Sequence, residues 1–327
     1  MNSLKVNLTE RSYEIFVGHG LLEKAAEFFD LNRKVFVLTD SGVPAEYAKA
    51  VASCCKDAKI FTVQQGEGAK TFPVFEEVLR EMMHFNMGRK DCLVCVGGGV
   101  VGDLGGFVAA SYMRGIDFYQ VPTTVLSQVD SSIGGKTAIN LDDTKNIVGA
   151  FHQPKAVLID IETLRTLPQR LIAEGLAEAV KMAACFDPEL FEIFETQDID
   201  LDNIEEVIMR SLAIKKKVVE EDEREAGLRK LLNFGHTLGH GIEGSQDKLF
   251  HGECVAIGML PMCSDEVRPR LEAVLEKLGL PTKYDGDMDE ALKLVAHDKK
   301  ASGDFDEIGK PRIEKVSLTS FRAKRSK

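Results

Sequence analysis

No stretch of this chain approaches the ~20 consecutive apolar residues that a membrane-spanning helix needs. The first residues, Met1-Asn2-Ser3-Leu4-Lys5, lack the apolar core of a secretory leader. No membrane association is expected, and the cytoplasm is the expected compartment. Positive charge is not in excess either: 41 Lys and Arg stand against 52 Asp and Glu, a net charge of −11. That balance argues against nucleic-acid binding through a basic face, and the basic residues 322–327 read as a solvated end. There are seven cysteines, and Cys92 and Cys95 have no second CxxC to complete a zinc site. Both lie in the apolar run Cys92-Leu93-Val94-Cys95-Val96, where strand geometry sends residues three apart to opposite faces. Internal repeats and low-complexity tracts are missing.

What remains is an ordinary globular mix, 44% hydrophobic and 28% charged, in 327 residues, enough for two domains. β-Branched runs at 34–40, 59–63, 92–96, 118–122 and 156–161 alternate with amphipathic stretches such as 71–85. Such alternation predicts a parallel sheet covered by helices. From about Pro168 the period becomes helical, with helices expected at 170–186, 204–223, 231–243, 252–263 and 266–278. The expected architecture is an α/β dinucleotide-binding domain with a Rossmann-like parallel sheet over 1–160, then an all-α metal- and substrate-binding domain over 161–327. A cleft between the two is the default ligand site.

The run 94–96 leads into Gly97-Gly98-Gly99-Val100-Val101-Gly102-Asp103 and then a helical stretch. A strand, a glycine loop and a helix start make a phosphate-binding device, because free amides and the helix dipole attract an anion. The spacing is not the usual G-x-G-x-x-G. Pro122-Thr123-Thr124 follows the next strand and offers hydroxyls. Ser131-Ser132-Ile133-Gly134-Gly135-Lys136-Thr137 lacks the first glycine of a Walker loop, so an NTPase is rejected. A flexible loop carrying Lys136, with Lys145 and Asn146 following, still suits a phosphorylated ligand.

In the second half, His236 and His240 sit four apart and share a helix face, and His251 opens another predicted helix. Glu178 and Lys181 interrupt an otherwise apolar helix, where burial is costly unless each is paired or holds a metal. Catalytic zinc commonly takes three protein ligands of the His₂Glu type. Spacing offers Glu178, His236, His240 and His251 and does not choose between His236 and His240. Gly235 and Gly252 are expected to leave room beside the metal.

These segments together resemble the 3-dehydroquinate synthase family. The resemblance rests on Gly97–Asp103, Pro122-Thr123-Thr124, Gln128-Val129-Asp130-Ser131-Ser132, Gly134-Gly135-Lys136-Thr137 and Lys145-Asn146. It continues through 175–181, Asp222-Glu223-Arg224-Glu225, 232–240, His251-Gly252-Glu253 and Asp298-Lys299-Lys300. It implies conversion of 3-deoxy-D-arabino-heptulosonate 7-phosphate to 3-dehydroquinate and phosphate, in the shikimate pathway, with NAD and zinc (cobalt as a substitute). It further implies Glu178, His236 and His251 as metal ligands. NAD contacts would come from Asp40, Gly66, Glu67, Lys70, Gly98, Gly99, Val100, Val101, Gly102, Asp103, Thr123, Thr124, Lys136, Lys145, Thr163, Leu164, Arg165 and Thr166. Substrate contacts would come from Asp130, Lys136, Asn146, Lys181, Lys215, Arg229, Asn233, His240 and one of Lys299 and Lys300. Arg114 matches a position that reaches the substrate phosphate of a neighbouring subunit, implying a homodimer.

The sequence departs from the family in two places. Gln65-Gly66-Glu67-Gly68-Ala69-Lys70 lacks the aspartate and aromatic often found there, and the apolar strand usual after Asp304 is missing. The alternatives are another sugar-phosphate cyclase using sedoheptulose 7-phosphate or glucose 6-phosphate, a polyol dehydrogenase that releases NADH, and a non-enzymatic sugar-phosphate-binding protein.

Overall fold

The β-branched runs form the parallel sheet that their alternation with helices requires. The structure, a computed structural model, describes residues 1–142, 144–295, 303–307 and 310–313. The first unit, Met1–Leu167, opens with β1 (Asn2–Val6), β2 (Tyr13–Gly18), β3 (Lys34–Asp40), α1 (Ala45–Ser53) and β4 (Asp57–Val63). It continues through α2 (Phe72–His84), β5 (Cys92–Gly97), α3 (Gly99–Ser111), β6 (Asp117–Pro122), β7 (Lys136–Leu141), β8 (Thr144–Phe151) and β9 (Ala156–Asp160). Seven strands pair in the order β1-β2-β9-β6-β5-β3-β4, all parallel except β1 with β2.

Apolar residues cover both faces of the central strands β3, β5, β6 and β9, which explains why these read as apolar runs. Val35, Val37, Cys92, Val94 and Val96 pack on one face; Phe36, Leu38, Leu93 and Cys95 pack on the other. Cys92 and Cys95 therefore point apart, and all seven cysteines are free thiols. From β3 the chain runs outward to β4 and then crosses back to β5 on the other side of β3. Parallel sheets bind ligands at such a switch point, outside the carboxyl ends of the strands. Here those ends carry Asp40 and Gly97.

The structure corrects the expectation of a flexible loop around Lys136. Lys136 opens β7, which pairs antiparallel with β8 in a separate two-stranded sheet, Lys136 opposite Phe151 and Thr137 opposite Ala150. Ile139 reaches the core, and Thr137 Oγ1 donates to Ala150 O at 2.9 Å. A Cβ at Gly106 would lie 2.3 Å from Thr137 Cγ2, so α3 approaches β7 only because glycine stands there.

The second unit is Pro168–Lys327, so the short 3-10 turn Ile161–Thr166 stays with the first unit, beyond the division placed at 160. The reason lies in Asp160, whose carboxylate accepts from Glu162 N at 3.1 Å and also from Leu21 N at 2.7 Å. The second unit contains α4 (Gln169–Phe186), α5 (Pro188–Thr196), α6 (Ile204–Glu221), α7 (His236–Gly244), α8 (His251–Met259), α9 (Arg268–Lys277) and α10 (Met288–Val295). To these it adds an antiparallel pair, β10 (Gly303–Glu307) and β11 (Lys310–Ile313), in the region where an apolar strand was missed. The helix expected over 231–243 divides in two. A 3-10 turn covers Leu228–Asn233, Gly235 takes φ 79°, and α7 starts afresh at His236. Among the described residues no helix is long and apolar enough to cross a membrane.

Candidate active site

Helix α4 is buried along most of its length, and besides Glu174 two of its buried residues are charged: Glu178 is 1% exposed and Lys181 is 2% exposed. They pair with each other through Glu178 Oε2 and Lys181 Nζ. The other oxygen, Glu178 Oε1, is buried with no hydrogen-bond partner. It lies 3.5 Å from His236 Nε2 and 3.8 Å from His251 Nε2. A buried carboxylate oxygen left without a partner is costly, and a cation between it and the two imidazoles would remove that cost.

Both histidines are already turned for such a role. His236 Nδ1 faces Phe234 O at 3.2 Å, and His251 Nδ1 faces Glu243 Oε2 at 3.0 Å. Each contact occupies Nδ1 and leaves Nε2 for a metal. His240 stands beside them, its ring centroid 5.2 Å from that of His236 and 5.8 Å from that of His251. Ligand atoms of His236, His240 and His251 all lie within 4.8 Å of one another. Closeness alone therefore selects the three histidines, while the orphaned oxygen selects Glu178 with His236 and His251. Imidazole nitrogens with one carboxylate oxygen suit zinc or cobalt.

The two rings differ electrostatically. Burial, then Lys181, His240 and His251, push His236 well below the ordinary imidazole value, which favours the neutral, metal-ready form. Burial also opposes charge on His251, but the bond to Glu243 and the nearby Glu178 and Glu174 outweigh it and raise its pKa.

The glycines flanking these histidines have a different purpose from the one expected. A Cβ at Gly235 would lie 2.5 Å from Met259 Cγ and 2.8 Å from Val255 O; one at Gly252 would lie 2.0 Å from Glu174 O. They allow α7 to close on α8 and α8 on α4, which brings ligands from three helices together. Along α4, residues 170, 174 and 178 fall on one face. Arg170 Nε donates to Glu253 Oε1 at 2.7 Å, Gly252 N donates to Glu174 Oε1 at 3.2 Å, and Glu178 meets His251.

Lys215, Arg229 and Asn233 are buried in the same unit. Arg229 Nη1 donates to Glu223 O at 2.6 Å, and Asn233 Nδ2 donates to Glu225 Oε1 at 2.9 Å. Asp222 fixes this loop by accepting from the backbone of Ala226, Gly227 and Arg229. Lys299 and Lys300 lie outside the described residues.

The sheet unit places its own candidates at the switch point. Asp40 ends β3 and accepts from Gly42 N at 2.8 Å; burial raises its pKa. Gly98 precedes α3 in extended conformation, so the amides of Gly99, Val100 and Val101 stand at a helix start with no side-chain cap. Free amides there are what an anionic diphosphate requires. Close packing uses some of the glycines: a Cβ at Gly97 would meet Val101 at 2.6 Å, and one at Gly102 would meet Gln120 at 2.9 Å. Thr123 N bonds Gly97 O, and Gln128 Nε2 bridges Pro122 O to Thr163 Oγ1, so Thr123, Thr124 and the turn Ile161–Thr166 border one region. In that turn Leu164 is buried, and exposed Arg165 pairs with Glu162.

Lys70, 3% exposed, ties Asp103 at the start of α3 to the Glu67 turn and to Asn146. Asn140 completes the network, donating to Glu67 Oε1 and accepting from Asn146 N, each at 2.8 Å. Lys136 and Lys145 are exposed on the hairpin, and Asp130 lies on a π-helical turn, Ser127–Ser131. Arg114 is exposed, with φ 70°, after α3.

Two residues escaped the sequence reading, Glu243 and Asn140, each holding a candidate residue; Glu225 belongs to the 222–225 segment already singled out, but its contact to Asn233 did not show there. Glu243 had a signal, since His236, His240 and Glu243 repeat at helical spacing; Asn140 lies on β7, and its contacts to Glu67 and Asn146 depend on tertiary pairing that no spacing encodes.

Comparison with known proteins decides the family. Residues 60–174 match the 3-dehydroquinate synthase N-terminal model, and residues 175–301 match the 3-dehydroquinate synthase C-terminal model. The chain belongs to the 3-dehydroquinate synthase family. It is 40% identical over 332 residues to 3-dehydroquinate synthase of Thermoanaerobacter pseudethanolicus, with 93% of each chain covered. Against the 3-dehydroquinate synthase of Caulobacter vibrioides it is 41% identical over 334 residues, covering 93% of this chain and 90% of the relative. Among solved structures it resembles 2-deoxy-scyllo-inosose synthase complexed with carbaglucose-6-phosphate, NAD+ and Co2+ (TM-score 0.89, 25% identity, 99% of both chains). It also resembles 2-epi-5-epi-valiolone synthase of Streptomyces hygroscopicus subsp. jinggangensis with NAD+ and Zn2+ bound (TM-score 0.88, 26% identity, 98% and 97% covered).

Proposed function

We infer that this chain is a 3-dehydroquinate synthase, a phosphate-eliminating cyclase that converts 3-deoxy-D-arabino-heptulosonate 7-phosphate to 3-dehydroquinate and phosphate. The observation that carries the reading is the orphaned Glu178 Oε1 facing His236 and His251 in a chain that matches both halves of the family. When bound, NAD supplies a transient hydride acceptor and zinc or cobalt supplies Lewis-acid chemistry.

The chain's own residues divide the remaining work. Glu178, His236 and His251 hold the metal through Oε1 and the two Nε2 atoms, and His240 is left for substrate. Asp40, the Glu67–Lys70 turn, the amides of Gly99–Val101, Asp103, Thr123, Thr124 and the turn Ile161–Thr166 hold the dinucleotide. Lys136, Lys145, Lys181, Lys215 and Arg229 provide local positive charge for a substrate bearing a carboxylate and a phosphate. In a protein of net charge −11 that local field matters more than the total. Asp130, Asn146 and Asn233 position substrate hydroxyls. The same reading includes a homodimer, in which Arg114 serves the neighbouring subunit, and action in the cytoplasm.

A sedoheptulose 7-phosphate cyclase is the second reading, favoured by the likeness to 2-epi-5-epi-valiolone synthase. Sequence identity weighs against it, at 26% for that enzyme and 40% and 41% for the two 3-dehydroquinate synthases. Offering both sugar phosphates to the purified protein with metal and NAD separates the two. Phosphate release from the heptulosonate is expected; release from sedoheptulose 7-phosphate alone overturns the reading.

A further inference from the structure

The two imidazoles that face Glu178 are held in place by unlike groups. Behind His236 stands a backbone carbonyl, Phe234 O, presented by the turn that Gly235 makes at φ 79°. Behind His251 stands a carboxylate, Glu243 Oε2, 3.0 Å from Nδ1. A carbonyl fixes the tautomer and the ring plane. A carboxylate does both and also strengthens the electron donation of the opposite nitrogen, because the imidazole acquires partial imidazolate character.

Glu243 is placed for this by the same helix that carries His236. His236, His240 and Glu243 follow at i, i+4 and i+7 on α7, so they share one face, and that face meets the start of α8. His251 is the first residue of α8, where a side chain has fewer helical neighbours to restrain it. The clamp formed by Arg170 with Glu253 fixes the α8 backbone there, since Arg170 Nε and Nη2 donate to the two Glu253 oxygens at 2.7 and 2.8 Å. Backbone restraint leaves the His251 ring free to rotate about its own bonds. The contact described behind that ring is Glu243, only 18% exposed.

We propose that Glu243 is the positioning residue that aims His251 Nε2 at the metal and sets how tightly the site holds it, without touching the metal itself. The proposal rests on the metal assignment above, and the experiment separates the two. Zinc affinity is measured by competition with a chromogenic chelator for the full-length protein and for Glu243→Ala, Glu243→Gln and Glu178→Ala. Cobalt-loaded samples report coordination through their visible absorption. Glu243→Ala is expected to bind zinc 10–100-fold more weakly, the usual loss on removing such a partner. Glu243→Gln keeps an acceptor of the same shape without the charge, so a smaller loss and a cobalt spectrum close to the parent are expected. Thermal unfolding of the metal-free Gln variant close to that of the parent separates this effect from misfolding. If Glu178→Ala loses zinc while both Glu243 variants bind it as the parent does, the positioning role is refuted and the metal site stands. If Glu178→Ala binds zinc undiminished, the metal assignment itself falls.

Discussion

Three glycines of the helical unit separate backbone strain from close packing. Gly279 takes φ 76° with nothing within 4 Å of an added Cβ. Gly279→Ala should therefore register only the left-handed conformation, about 1–2 kcal/mol. Gly252 has no left-handed strain, but its Cβ would lie 2.0 Å from Glu174 O. Gly252→Ala should register overpacking against backbone, about 1–3 kcal/mol. Gly235 combines both: φ is 79°, and its Cβ would press on Met259 Cγ at 2.5 Å and Val255 O at 2.8 Å. Gly235→Ala should therefore cost about 2–5 kcal/mol, the sum of the two terms. It should also weaken zinc binding, because relieving the clash separates α7 from α8 and thus His236 from His251. Gly279→Ala should leave zinc binding intact. Chemical denaturation of the metal-free variants gives the first quantity, and chelator competition gives the second. Equal destabilisation by Gly279→Ala and Gly235→Ala, with unchanged zinc affinity in both, would refute the claim that Gly235 serves helix approach.

Two further perturbations test the electrostatics. Asp187 accepts from Leu190 N at the start of α5 and from Arg210 at 2.7 Å. Burial opposes its charge, but Arg210 and the backbone donors prevail and hold the carboxyl below its ordinary value. A depressed carboxyl stabilises the fold above the unfolded pKa and loses that contribution as pH falls through the folded one. Asp187→Asn, which keeps the cap, should cost about 1 kcal/mol at neutral pH; denaturation at stepwise lower pH should show the difference vanish below the usual carboxylate range. Lys70→Met removes the cation shared by Asp103, Glu67 and Asn146, and should destabilise the sheet unit by about 1–3 kcal/mol. Adding Asp103→Asn should recover part of that loss in a double-mutant cycle, and strict additivity would contradict the network.

The strands at the centre of the sheet were legible because they are buried on both faces, so Lys34–Asp40 and Cys92–Gly97 stand out as apolar runs between helices; β1 and β2 were not read, because β1 is largely exposed and β2 mixes exposed with buried residues. The β7–β8 hairpin was not, since β8 is exposed along most of its length and carries Lys145 and Asn146 where a core strand would be apolar. The helical period of 231–243 concealed a break, because a single left-handed glycine ends one turn and starts a new helix without disturbing the apolar spacing. At the metal site, spacing supplied four candidates. Only the three-helix convergence revealed that Glu178 Oε1 lacks a partner, and only tertiary contact revealed Glu243 and the Arg170–Glu253 clamp.

In the proposed reaction bound NAD would serve as a transient hydride acceptor and would not be consumed. The direct measurement incubates zinc-loaded protein with excess 3-deoxy-D-arabino-heptulosonate 7-phosphate and NAD limited to the protein concentration, following phosphate, dehydroquinate and NADH absorbance together. Many equivalents of phosphate and dehydroquinate per NAD, with no net NADH, are the expected result. Turnover that stops after one equivalent with NADH accumulating would contradict it.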